Sequence, residues 1–151
     1  MVRLQINGYD VACDAAATAM AYMRIATPGP KRCGCWYCRN WASGRDRLVP
    51  SAVRDLLLRL GIPLAGEEEV WEVPGLPGED TPHLYGGWYL FVGQILVTPD
   101  PREFLVGAWR LSFSRQPAYG VAAFAGFDVA ELHFLCPVGN FIEPDTSAVG
   151  R

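Results

Sequence analysis

Ser51-Ala52-Val53-Arg54-Asp55-Leu56-Leu57-Leu58-Arg59-Leu60-Gly61-Ile62-Pro63 divides the chain into two halves of different periodicity. Val53, Leu56, Leu57 and Leu60 recur at i, i+3, i+4 and i+7, the spacing of one helix face, while Arg54, Asp55 and Arg59 turn to water. Pro50 suits the first turn, Gly61 the position just past the end, and Pro63 prevents continuation. Upstream, Asp14 predicts an N-cap for a helix over Ala15 to Ala26, which Thr27-Pro28-Gly29-Pro30 ends. A short helix is expected at about Trp36 to Ser43, with Tyr37 and Trp41 on one face beside Asn40. Residues 2–13 read as one short strand or an extended lead-in.

Downstream of Gly61 the patterning is that of strands. Val70 to Val73 is a short one, and Tyr85 to Val97 is a long β-rich run whose Gly86-Gly87 allows a bulge or a tight approach. Trp109, Leu111 and Phe113 alternate with Arg110, Ser112 and Ser114, and Val129 to Cys136 is the last strand. The Pro- and Gly-rich stretch from Pro74 to Pro82, holding Glu79 and Asp80, reads as an exposed loop, and residues 144–151 as a frayed tail. Helices first and strands after predict an α+β fold. A helical layer at about 14–61 packs on an antiparallel sheet at about 68–140, as one domain over residues 1–151.

Half of the 151 residues are apolar and a fifth are charged, which excludes global disorder. The net charge of -3 is uneven. Residues 1–60 carry nine Lys/Arg against four Asp/Glu, a balance of +5; residues 61–151 carry four against twelve, a balance of -8. The first apolar run, Ala15 to Ala21, lacks a basic lead and is too short to span a bilayer, so neither a signal peptide nor a membrane partner is expected. Five cysteines, an odd number without an export signal, point to reduced thiols in the cytoplasm.

Cys33-Gly34-Cys35-Trp36-Tyr37-Cys38 carries the most pointed chemistry. Thiolates are soft ligands, C-x-x-C within a turn lets two sulfurs converge on one ion, and Gly34 supplies the backbone freedom. Cys33, Cys35 and Cys38 are candidate zinc ligands, with Cys136 or His133 from the last strand as the candidate fourth; Cys13 and His83 are weaker candidates. Strand alternation sends His133 and Cys136 to opposite faces, so that strand offers one ligand at most. Two readings stand beside the metal. The thiols pack as small apolar groups among Trp36, Tyr37 and Trp41, or Cys35 and Cys38 act in redox chemistry with Lys31, Arg32 and Arg39 favouring a thiolate.

Elsewhere the signals are weaker. Tyr85, Trp88, Tyr89 and Phe91 read mainly as core, with stacking on bases or sugars, or a dimer interface, as other uses. Lys31, Arg32, Arg39, Arg45, Arg47, Arg54 and Arg59 form a basic stretch, but an acidic chain of pI about 5.3 argues against nucleic acid as partner. Glu67-Glu68-Glu69 reads as a solvated charge run. No phosphate loop, nucleophile elbow or metalloprotease helix occurs in the sequence.

The strings Cys33 to Trp41, Leu60-Gly61-Ile62 and Gly87-Trp88-Tyr89-Leu90-Phe91-Val92-Gly93 together resemble a family of small uncharacterised bacterial proteins, some of them phage-associated. The resemblance spans about residues 9–140 and implies one domain with this order of elements. It carries no activity, cofactor or catalytic residue. The functional expectation is therefore a non-enzymatic cytoplasmic protein. It binds a protein partner or a second copy of itself, through the basic helical face from Arg39 to Arg59. The alternatives are a small thiol-redox protein using Cys35 and Cys38, and a zinc-stabilised nucleic-acid module.

Overall fold

The computed structural model describes residues 1–27, 29–73, 83–115 and 120–144. The chain opens with a hairpin, β1 (Val2–Ile6) and β2 (Tyr9–Cys13), where one extended segment was expected. Its turn is Asn7-Gly8, with φ of 45° and 87°, the left-handed pair that a tight antiparallel turn requires. Four helices follow: α1 (Ala15–Met23), α2 (Gly29–Cys33), α3 (Trp36–Leu48) and α4 (Ser51–Leu60). Then come β3 (Glu69–Glu72), β4 (His83–Val97), β5 (Phe104–Val106), β6 (Trp109–Ser114), a single 3-10 turn at Ala122–Phe124, and β7 (Val129–Val138). The loop expected at Pro74 to Pro82 lies outside the described residues, as does the expected tail apart from Pro144.

The architecture is α+β, with the helices in the N-terminal half and a seven-stranded antiparallel sheet among the described residues. Strand order is β1-β2-β4-β7-β6-β5, and β3 also pairs with β4. β7 runs along β4 from Val92↔Val129 to His83↔Val138. Across β4 lie β3, at Tyr85 to Trp88, and β2, at Gly93 to Val97. The backbone between those two partners is served by α1 instead of a strand. Tyr22 OH donates to Leu90 O at 2.8 Å and accepts from Leu90 N at 3.1 Å, and Thr18 Oγ1 accepts from Val92 N at 2.9 Å. Asp14 starts α1 by accepting from Ala17 N, as the sequence predicts, and its own N–H bonds Val92 O. Every polar group of a buried strand needs a partner, and here two helix side chains supply it.

Alternation along β4 separates two apolar clusters. Tyr85, Tyr89 and Phe91 face α3 and α4, together with Leu111, Phe113, Leu132 and Phe134 of β6 and β7. Trp88, Leu90 and Val92 face α1 and Phe124 on the other side. The four aromatics of β4 are thus all buried, as core residues. The sheet curls far enough for Tyr9 of β2 to reach across to β6, where its hydroxyl accepts from Phe113 N at 3.3 Å while donating to Arg102 O at 2.7 Å. α4 buries Val53, Leu56, Leu57 and Leu60, the four residues its periodicity names. Each contributes roughly 1.5–3 kcal/mol of apolar burial.

Gly61 closes α4 at φ 77°, and a Cβ there would lie 2.1 Å from Ala15 O. Gly61→Ala is therefore expected to cost about 1–3 kcal/mol from backbone strain alone. The check is the urea midpoint, and an unchanged midpoint would contradict this reading of the α1–α4 contact. α3 runs to Leu48, five residues beyond the expected Ser43. It passes through Gly44 without a break, because Phe141 packs directly on that helix face, where a Cβ would meet its ring at 2.1 Å.

Candidate metal centre

The thiols of Cys33, Cys35 and Cys38 converge. Their three sulfurs lie within 4.8 Å of one another, a set that could hold a metal ion. Local backbone chemistry produces this. α2 ends at Cys33, Gly34 reverses the chain at φ 66°, and Cys35 takes the extended N-cap position of α3. Cys35 Sγ there accepts from Cys38 N at 3.4 Å, the role usually filled by Ser or Asp. Cys38, in the first turn of α3, is buried, while Cys33 and Cys35 are exposed.

The three sulfurs differ electrostatically. Cys33 is held below the ordinary thiol range, first by the Cys35 backbone N–H and then by the thiols of Cys35 and Cys38. Cys38 is pushed well up, mainly by burial and further by the two neighbouring sulfurs. Tetrahedral zinc with Zn–S bonds of about 2.3 Å sets its sulfurs roughly 3.8 Å apart. The cluster already lies inside 4.8 Å, close to that spacing.

Cys136 does not join the group. It sits at 0% exposure on the inward face of β7, opposite Tyr85, in the main apolar cluster, and burial alone pushes its thiol well up. Alternation along β7 turns it to the core with Leu132 and Phe134. His133 points to the other face, where its Nε2 lies 2.6 Å from Glu131 Oε2. Cys13 is buried in the same core, its thiol donating weakly to Arg59 O at 3.9 Å.

His83 is engaged elsewhere. Its Nδ1 lies 2.6 Å from Glu72 Oε1 and its Nε2 2.8 Å from Asn140 Oδ1, and its ring packs 5.4 Å from that of Trp36. From β4 the histidine thus contacts, through Asn140, a strap of residues 139–143 laid along α3. Asn40, fully buried, anchors that strap: it donates to Gly139 O at 2.9 Å and accepts from Phe141 N at 2.7 Å and Ile142 N at 3.3 Å. Trp36 Nε1 donates to Glu143 O at 2.7 Å.

No family model, curated protein or solved structure matches this chain. Its chemistry is legible only from its own side chains.

The basic stretch is partly consumed within the fold. Arg45 is buried against Glu67, donating from Nε to Oε1 and from Nη2 to Oε2 at 3.0 Å, and Trp41 Nε1 donates to the same Oε1 at 2.8 Å. Glu67, 1% exposed, is therefore an interior carboxylate and not a solvated charge. Burial pushes its carboxyl upward, and the Arg45 guanidinium and the Trp41 donor oppose that shift. Arg54 donates to the carbonyls of Val49 and Asp46 beside α4. Arg32 reaches Glu68 Oε1 at 3.1 Å. Lys31, Arg39, Arg47 and Arg59 are left exposed. No helix among the described residues is long and apolar enough to cross a membrane.

Proposed function

We propose that the protein is a non-enzymatic metal-binding protein of the reducing cytoplasm. Cys33, Cys35 and Cys38 hold a thiophilic divalent ion, zinc, at the corner between α2 and α3. The observation that carries this reading is the convergence of three thiols within 4.8 Å at a helix N-cap. An ion there would tie α2 to α3, the helix whose Trp36 and Asn40 hold the strap of residues 139–143. That corner also displays Lys31 and Arg39, with Arg47 and Arg59 farther along, as cationic contacts for a protein partner or a second copy of the chain.

Nucleic acid is a poorer partner on this reading, because Arg45 and Arg54 spend their donors within the fold. A thiol-redox role has one specific support. Cys33 is exposed and held below the ordinary thiol range, while Cys38 is buried beside it.

Thermal unfolding of the reduced protein with and without equimolar zinc separates the two readings. Binding to the folded state alone stabilises by RT ln(1 + [L]/Kd), about 2.7 kcal/mol at one hundred times Kd. The melting temperature should therefore rise with zinc in the native chain and not in a Cys35→Ser, Cys38→Ser variant. An equal response of both proteins would overturn the metal reading. Selective fast alkylation of Cys33 in a chain indifferent to zinc would favour the redox one.

A further inference from the structure

We infer that a metal ion on Cys33, Cys35 and Cys38 keeps its fourth coordination position open, and that this position takes the sulfur of a small thiol carrying a carboxylate. The inference rests on the metal reading above and adds a ligand to it.

Zinc takes four ligands, and a site with three protein ligands completes its shell from solution. Among the described residues no other ligand atom joins the three converging sulfurs. Cys13 and Cys136 lie in the core, His83 is held between Glu72 and Asn140, and His133 faces away from Cys136. Of the two carboxylates in the wall beside the thiols, Glu68 is bound to Arg32, and Glu69 stands outside the group of ligand atoms that converge within 4.8 Å.

What adjoins the sulfurs is space. Cys33 and Cys38 line a hollow of about 340 Å³ together with Gly29, Pro30, Arg32 and the segment Glu68 to Val70. That volume is within the range of small-ligand sites and far more than one water requires. A soft centre of three thiolates favours a fourth sulfur over water or carboxylate oxygen. Arg32, whose side chain is 48% exposed, stands in the wall of the same hollow. Its guanidinium has five donors, and Glu68 Oε1, Glu68 O and Thr27 O engage only its two terminal nitrogens. A carboxylate two or three bonds from the incoming sulfur would lie against it. The step is a ligand exchange: the thiol gives its proton to solvent, its sulfur bonds the metal, and the water in the fourth position leaves.

The test uses the reduced full chain loaded with cobalt(II), whose visible bands report both the number of thiolate ligands and tetrahedral geometry. Mercaptoacetate should shift the bands saturably, at one equivalent per bound metal. 2-Mercaptoethanol should do so more weakly, and propionate, which lacks sulfur, should not. Arg32→Ala should weaken mercaptoacetate by about fivefold, the size of a half-exposed ion pair, and leave 2-mercaptoethanol unchanged. Cobalt uptake with a spectrum unmoved by either thiol would overturn the open position while leaving the metal site standing. A thiol that merely strips the metal would overturn it likewise. Failure to take up cobalt at all would overturn the metal reading itself, and this inference with it.

Discussion

Glu67→Ala is expected to destabilise the protein by about 3–5 kcal/mol, the usual result of removing one partner from a buried ion pair. For a domain of this size that corresponds to a fall in melting temperature of roughly 10 °C. The cause is not the lost attraction alone. Glu67 accepts from Trp41 Nε1 and from Nε and Nη2 of Arg45, and its removal leaves those donors buried without partners. Trp41 is also the hub of the aromatic core, stacked 5.2 Å from Phe134 and 6.0 Å from Tyr85, so the damage reaches β4 and β7. Replacing the pair together, as Glu67→Leu with Arg45→Met, should recover most of the loss, because the burial of two charges is then avoided as well. Equilibrium urea unfolding of the single and double variants reads this directly. A single variant as stable as the native protein would mean that Glu67 is solvated after all.

The second large effect is expected at Asn40. Its side chain holds the strap at three backbone atoms, Gly139 O, Phe141 N and Ile142 N, and lies 3.4 Å from Tyr85 OH. Asn40→Ala orphans these groups where water enters poorly, at a cost of about 1–3 kcal/mol for a buried group left unsatisfied. The consequence should be local first. Amide exchange at Phe141 and Ile142 should accelerate more than at Leu132 or Phe134 on β7, because the strap can lift from α3 while the sheet stays closed. Uniform acceleration along β7 and the strap would contradict this and make Asn40 a general core residue.

Much of the fold can be read in the chain because its helices and strands carry strong periodicity. α4 and β6 fall where the i, i+3, i+4 and alternating patterns place them, and β7 needs only two more residues at its end. The N-terminal hairpin carried its own signal in Asn7-Gly8, which outweighs the irregular apolar pattern around it. β5, three residues long, has too few positions for any period to show.

The site was legible in part. Cys33, Cys35 and Cys38 are gathered by local geometry, a helix end, a left-handed glycine and an N-cap, all within six residues. Cys136 is different, since its distance from that corner depends on the sheet register and on which face of β7 lies inward. Glu67 shows the same limit from the other side. Three consecutive glutamates look alike as a string, and only the path of the chain from Pro63 to β3 selects which one enters the core. Arg45 gives no sign of its burial in composition either, because its partner lies 22 positions away.

The most direct test of the account is the metal content of the protein purified under reducing conditions, measured by elemental analysis alongside a variant with Cys33, Cys35 and Cys38 all changed to Ser. About one zinc ion per native chain is expected, in line with a thiolate site of this kind, and none in the variant. A native chain that stays metal-free when offered zinc, or a variant that retains the ion, would contradict it.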